Sequence, residues 1–287
     1  MVKDLQKSKS KKAKIVFATI VCVAVIVLLL NYVIVPNIKY NQAINLIDSD
    51  VVQAYEALIA MEGFRDSNEK ASSIYTRYKS EQLKNVGVGE CFTFGRYFSD
   101  IDKRYDFVYY SEDVEWFVLA KENNKLLVIS KYALEYEVYN DEYYDVTWEY
   151  STLRNSLNNY FLKKAFSADE QKMILTTTVP AHKNPDYNTD QGNDTQDKIF
   201  VLSVTEAEKY FASDDDRECY GTNYVKKKAQ AEELYNGDEF PWWLRTLGED
   251  QKDCAFVNFM GKVCSGGRSI YSHSVFVRPA MWIELSN

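Results

Sequence analysis

A chain of 287 residues with 42 acidic and 34 basic side chains, net charge −8, is a poor nucleic-acid binder. Affinity for a phosphate backbone comes mainly from neutralising its charge. Imidazole-based catalysis has only His182 and His273 to draw on, and neither lies in a Gly-x-Ser-x-Gly or His-Glu-x-x-His pattern. No glycine-rich phosphate loop and no Cys-x-x-Cys occurs, so no cofactor and no metal is expected.

Charge is unevenly placed. Residues 1–14 carry Lys3, Lys7, Lys9, Lys11, Lys12 and Lys14 against Asp4, a net +5, which leaves −13 for the rest. From Ile15 to Val35 no charged residue occurs. A helix of about 21 residues at about 1.5 Å per residue spans about 31 Å, the thickness of a bilayer's hydrocarbon core. A cleaved signal peptide also starts basic and apolar, but its apolar region is about 7–15 residues and ends in a small-x-small site. Asn31 to Pro36 offers no such site, so the expectation is an uncleaved anchor in the lipid bilayer. The lysines place residues 1–14 in the cytoplasm and the remainder outside the cell membrane.

Residues 37–84 read as three short helices, a hairpin-like spacer of about 48 residues with few turn residues. Asn37 and Asp50 are candidate caps for the first two, and Asp66-Ser67-Asn68-Glu69 has capping-box spacing for the third. Ala54, Ala57, Leu58 and Met61 recur at a helical period that buries one face. Together with Tyr40, Ala43, Leu46, Tyr55 and Gly63 to Ser67, they resemble a single tetratricopeptide-like hairpin. Such repeats usually stack in series, so one unit must lean on another surface.

From residue 86 to 287 the pattern changes to short apolar and aromatic strands between acidic or glycine-bearing turns. Cys91 to Tyr97 alternates, and Val114–Leu119 and Leu126–Ser130 flank Asn123-Asn124 as a hairpin. A helix follows with Leu153, Leu157, Tyr160 and Phe161 on one face. Ser167-Ala168-Asp169-Glu170 and Ser203-Val204-Thr205-Glu206 each open a short helix, the second running to Phe211. Residues 180–197 form a long polar loop, and the chain closes with strands at Ala255–Phe259 and Val275–Glu284. The expected fold is α+β: one transmembrane helix, a helical stalk, then a mixed antiparallel-strand domain with two or three short helices.

Of five cysteines, Cys22 lies in the apolar run, and Cys91, Cys219, Cys254 and Cys264 allow three complete pairings. An exported position permits disulfides. A two-residue turn at Met260-Gly261 would place Cys254 opposite Gly267 rather than Cys264.

Phe92-Thr93-Phe94-Gly95-Arg96-Tyr97, Leu127 to Leu134, Thr147-Trp148, Thr152-Leu153-Arg154, Trp242-Trp243-Leu244-Arg245 and Val277 to Ile283 carry a resemblance. In this order they are similar to an uncharacterised bacterial family, domain of unknown function 6273, over residues 86–285. The resemblance implies a surface or exported protein and brings no known activity. The chain departs from the family's pattern at Thr246-Leu247, where Ser-Pro is usual, and at Cys254 and Cys264. The order of helices, tryptophan-rich strand and terminal Val-Arg strand resembles, more distantly, the C-type-lectin-like fold shared with sulfatase-modifying enzymes. The lectin calcium motifs Glu-Pro-Asn and Trp-Asn-Asp are absent, and a fold analogy does not fix function.

Two groups of residues are candidate ligand contacts. In Tyr132–Tyr150, Tyr143, Tyr144 and Trp148 stand among Glu135, Glu137, Asp141, Glu142 and Asp145. Flat rings beside carboxylates suit sugars, whose C–H faces stack and whose hydroxyls need acceptors. Trp242, Arg245 and Arg278, with Trp243 and Trp282, form the second; arginine over tryptophan gains cation–π attraction and its fork can hold an anion. Asp214-Asp215-Asp216 offers clustered oxygens but lacks the spacing of a calcium loop. The sequence points to a non-catalytic surface module that binds a glycan or a protein. The alternatives are an assembly component that docks through its helical spacer and, third, an enzyme.

Overall fold

The computed structural model describes residues 2–98, 111–231 and 237–286. The chain divides into two compact units, Met1–Glu81 and Gln82–Asn287.

In the first unit, α1 (Val2–Leu29), a π turn (Leu30–Ile34) and α2 (Val35–Leu46) form one uninterrupted helix. Val16–Leu46 is long and apolar enough to cross a membrane. Asn37 does not cap a new helix as the sequence reading expects: it lies inside this one, and its side-chain amide donates to the Val33 carbonyl at 2.5 Å. Proline inside a helix lacks a donor and crowds the carbonyl four residues back. The π turn just before Pro36 widens the helix there, which lets it continue through a residue that would ordinarily end it.

Asp50 caps α3 (Val51–Ile59) by accepting from the Gln53 N–H at 3.0 Å. The third helix, α4 (Ser67–Leu83), begins after Asp66, whose carboxylate takes the Tyr40 hydroxyl. Ala54 and Leu58 are fully buried with Tyr40, Ala43, Ala71 and Ile74, while Ala57 and Met61 pack partly buried against them. Arg65 covers the Tyr40 ring at 5.0 Å.

The second unit begins with β1 (Cys91–Phe98), β2 (Ser111–Glu122) and β3 (Lys125–Ser130). Glu122 pairs with Lys125 across the expected hairpin, and Asn123 takes the positive φ of 53° that the tight turn needs. One interrupted helix follows: α5 (Thr152–Ser156), a π turn (Leu157–Phe161) and α6 (Leu162–Ala165). Leu153, Leu157 and Phe161 are buried on it, but Tyr160 is 49% exposed. The π turn spreads its residues over a wider arc than an α turn, so a residue counted onto the apolar face by α periodicity leaves it.

In the second unit the capping boxes expected at Ser167 and Ser203 both form. Ser167 and Glu170 open α7 (Ala168–Met173), and the short strands β4 (Thr177–Val179) and β5 (Thr195–Asp197) bracket the polar loop. Ser203 and Glu206 open α8 (Val204–Tyr210). Next come α9 (Asp214–Arg217), α10 (Asn223–Ala231), β6 (Trp242–Leu247), β7 (Asp253–Val257), β8 (Val263–Ser269) and β9 (Ala280–Glu284).

The antiparallel sheets are β1-β2-β3-β9 and β6-β7-β8. The strand β8, with Gly266-Gly267 and little apolar character, is absent from the sequence reading. All five cysteines are free thiols. Cys254 faces Arg268, not Gly267, because the turn spans residues 258–262 and an irregularity between Cys254 and Phe256 then shifts the register by two; Cys264 faces Phe256.

Trp116, Phe94, Phe161 and Phe166 make the core between the first sheet and the interrupted helix. The Trp116 indole donates to the Phe94 carbonyl at 2.7 Å, and the Phe94 and Phe166 rings lie 5.5 Å apart. Gly95 sits at the β1 bulge with φ +77°, and a Cβ there would lie 2.6 Å from the Phe166 ring and 2.7 Å from the Ala165 carbonyl. Gly89 shares the positive φ, +87°, but has nothing within 4 Å of such a Cβ. Gly89→Ala is therefore expected to cost about 1 kcal/mol, the left-handed backbone penalty alone. Gly95→Ala should cost about 3 kcal/mol, because it adds overpacking. Denaturant unfolding of the full chain in mild detergent measures both, and equal losses would remove the helix contact as the reason for glycine.

Candidate functional site

The acidic and aromatic stretch Tyr132–Tyr150 leaves β3 as an irregular segment that ends in a 3-10 turn at Trp148–Tyr150, and it is pinned from two sides. The Leu134 N–H donates to the Val277 carbonyl at 3.0 Å and the Val277 N–H to the Glu135 carbonyl at 2.9 Å. Asn140 bonds the Ile270 carbonyl through its N–H at 3.0 Å, and its side-chain oxygen accepts the Thr152 N–H at 3.1 Å, the first of α5. Between these ties the chain forms one wall of an open cleft of about 490 Å³; Ser156 and Tyr160 of the interrupted helix and His273 complete it.

Its polar groups converge. Ser156 donates its hydroxyl to Glu137 at 2.8 Å, and the Tyr136 hydroxyl lies 2.8 Å from His273 Nδ1. Lys228 stands 5.2 Å over the Tyr136 ring, and Lys164 donates to the Tyr160 hydroxyl at 2.8 Å. Asp141 adds a second carboxylate to the lining. Burial pushes the Glu137 carboxyl up and the Asp141 charge adds to this, while the Ser156 hydrogen bond and Lys228 oppose it.

Beside the cleft, Glu135 keeps some accessible surface, yet protein crowds its carboxyl. Burial, reinforced by Glu137, raises it to about 7 against the opposing pull of Lys228, the Tyr136 N–H and Lys164. The segment thus carries a carboxyl that exchanges its proton near neutrality next to one that accepts a hydroxyl. Such a wall can accept hydrogen bonds from hydroxyl groups and stack against ring faces.

The candidate residues of the sequence reading fall in different places. Tyr143 and Tyr144 are 63% and 48% exposed but do not line the cleft; Lys252 stands 5.7 Å over the Tyr143 ring and pairs with Asp145 at 3.6 Å. Trp148 is buried, and its indole donates to Asp197 at 3.0 Å, a carboxylate that Arg154 holds at 2.8 Å.

Trp242, Arg245 and Arg278 are buried too. The Trp242 indole donates to the Arg217 carbonyl at 3.0 Å, and Arg278 stacks 5.1 Å over its ring while donating to the Ser130 carbonyl at 2.8 Å. Arg245 spends its fork on the Glu206 carboxylate and on the carbonyls of Val201 and Pro180. That pair explains why the buried Glu206 carboxyl sits low: burial would raise it, but Arg245 and the Ser203 N–H outweigh that cost. The structure therefore brings Trp242 and Arg278 together, away from any open ligand surface.

Asp214-Asp215-Asp216 opens α9 under a Ser213 cap, and Asp214 pairs with Arg217. Among the described residues no cluster of three His, Cys, Asp or Glu side chains is arranged to hold a metal ion. His273 belongs to the cleft but lies 137 residues from Tyr136, and no local motif announces the contact.

Residues 123–285 match the family described as domain of unknown function (DUF6273). The chain belongs to this family. Every lining residue of the cleft falls inside that match. No curated protein and no solved structure matches the chain.

Because the folded state holds the Glu135 proton up to about pH 7 while a free glutamic acid loses it near pH 4.5, stability falls as pH rises through that interval and levels off above it. Glu135→Gln keeps the neutral form at every pH. Relative to wild type, the variant should gain up to about 3 kcal/mol between pH 5 and pH 8. Denaturant unfolding at the two pH values reads this difference, and a pH-independent difference would refute it.

Proposed function

We propose that this chain is a single-pass, membrane-tethered binding module. Its DUF6273 domain holds a hydroxyl-rich ligand of the glycan class in the cleft of Tyr136, Glu137, Asp141, Ser156, Tyr160 and His273. The observation that carries this reading is the convergence of two carboxylates, hydroxyls, an imidazole and tyrosine rings on one open surface. Sugars present alternating C–H faces and hydroxyl edges, and this wall offers complementary rings and acceptors.

The helix Val16–Leu46 supplies the tether. Lysine-rich residues 1–14 favour a cytoplasmic N-terminus, which puts the domain on the outer face. Tyr143 and Tyr144, exposed two and three residues past Asp141 along the same segment, are the outer contacts for a longer chain.

Binding of soluble wall-polysaccharide fragments to the full chain in detergent micelles tests this. Asp141→Asn and Tyr136→Ala should each weaken binding about tenfold, or about 1.4 kcal/mol. Tyr143→Ala with Tyr144→Ala should cost about threefold, since exposed contacts contribute less than enclosed ones. An array of glycans that shows no binding, or binding indifferent to Asp141 and Tyr136, would overturn the reading.

A further inference from the structure

A second cleft, of about 330 Å³, opens where β2, the stretch Tyr132–Leu134 and the first turn of α10 meet, and it shares no lining residue with the first. Tyr97 and Glu112 are direct partners across β1 and β2, and both line it. Tyr97 is only 7% exposed, and its hydroxyl is buried with no hydrogen-bond partner among the described residues. A buried hydroxyl without a partner is costly, and native proteins rarely leave one unless a ligand or water completes it.

The charges around it are divided. Asp113 has Arg96 at 3.5 Å and Glu115 has Lys131 at 3.2 Å, so both lining acids are neutralised by neighbours. Glu112 accepts only from the neutral amide of Asn223, at 3.3 Å, and keeps its negative charge uncompensated among the described residues. Lys226 lines the same cleft from the first turn of α10, whose N-terminus Thr222 caps by accepting the Val225 N–H at 3.3 Å. A lysine at the positive end of a helix is electrostatically unfavourable by itself. Lys226 has no ion-pair partner among the described residues, and the ring of Tyr220, 6.0 Å away, is its recorded contact. Lysine and helix terminus together make a seat for an anion.

We propose that this cleft binds a free α-amino acid as its zwitterion. The ammonium group sits between the Glu112 carboxylate and the Tyr97 hydroxyl, which accepts from it. The carboxylate meets Lys226 and the first-turn N–H groups of α10. Opposite charges lining one cleft select a molecule that carries both and reject one that carries either alone. The two clefts share no lining residue, so this proposal stands independently of the glycan reading.

The test is calorimetric titration of the full chain in detergent with each of the twenty protein amino acids, alongside propionate and ethylamine. At least one amino acid should bind, and neither single-charge probe should match it. Glu112→Gln and Lys226→Gln should each weaken binding tenfold or more, and Tyr97→Phe about fivefold. Titrant at up to about 10 mM reveals dissociation constants near 1 mM. Three results each overturn the proposal: no amino acid binding in that range, propionate or ethylamine binding equally well, or affinity unchanged in both charge variants.

Discussion

The second unit is closed by its last dozen residues. Trp242 bridges Phe276, Glu135 bridges Val277, Phe200 bridges Ala280, Ile174 bridges Ile283, and β9 completes the first sheet against β3. Val275, Phe276, Val277, Ala280, Met281 and Ile283 are all fully buried. One extended stretch therefore satisfies backbone groups from five separate parts of the chain, and no part could bury those groups without it. Asn124 and Leu285 tie the end down by exchanging two hydrogen bonds, at 2.7 and 2.9 Å. These contacts join residues far apart in sequence, so loop-closure entropy must be met before they form.

The carboxylate cleft inherits its geometry from that closure. The bridge between Glu135 and Val277 fixes where the aromatic segment leaves the sheet, and the next residues build the wall. Burial in that setting, with the Glu137 charge beside it, holds the Glu135 proton toward neutral pH. A loop released from Val277 would let the carboxyl reach water and would scatter Glu137 and Asp141. The site is thus an irregular segment made rigid by a regular strand, the arrangement in which loops carry function on a scaffold.

Features encoded within a few residues were legible in the sequence. The apolar run, the Asp50 cap, the boxes at Ser167 and Ser203, and the hairpin at Asn123 each rest on local chemistry, and each appears as read. Features set by packing were not. Asn37 and Tyr160 were misplaced because π turns shift helical phase, which no residue pattern here signals. Trp148 looks like a sugar platform by composition, yet Asp197, 49 residues away, draws its indole inward. Cys254 lies opposite Arg268 and not Gly267 because a longer turn and a two-residue bulge shift act in opposite directions on the register. Of the cleft, the segment was visible, but His273 and Ser156 arrive through the fold alone.

The family match starts at residue 123, but the physical domain cannot. β3 lies between β2 and β9 in the sheet, and Leu126 to Ile129 are buried along it. A chain cut before β3 would expose that row of backbone groups as a sheet edge and remove Trp116, the buried tryptophan on which Phe94 and Phe166 pack. β1 and β2 therefore belong to the folding unit even though they lie outside the match. Their apolar face, with Phe94, Tyr97 and Trp116, is buried in the core, where the Tyr97 ring lies 5.3 Å from Phe161 of the interrupted helix. The core of the matched region thus depends on strands that the match itself does not cover.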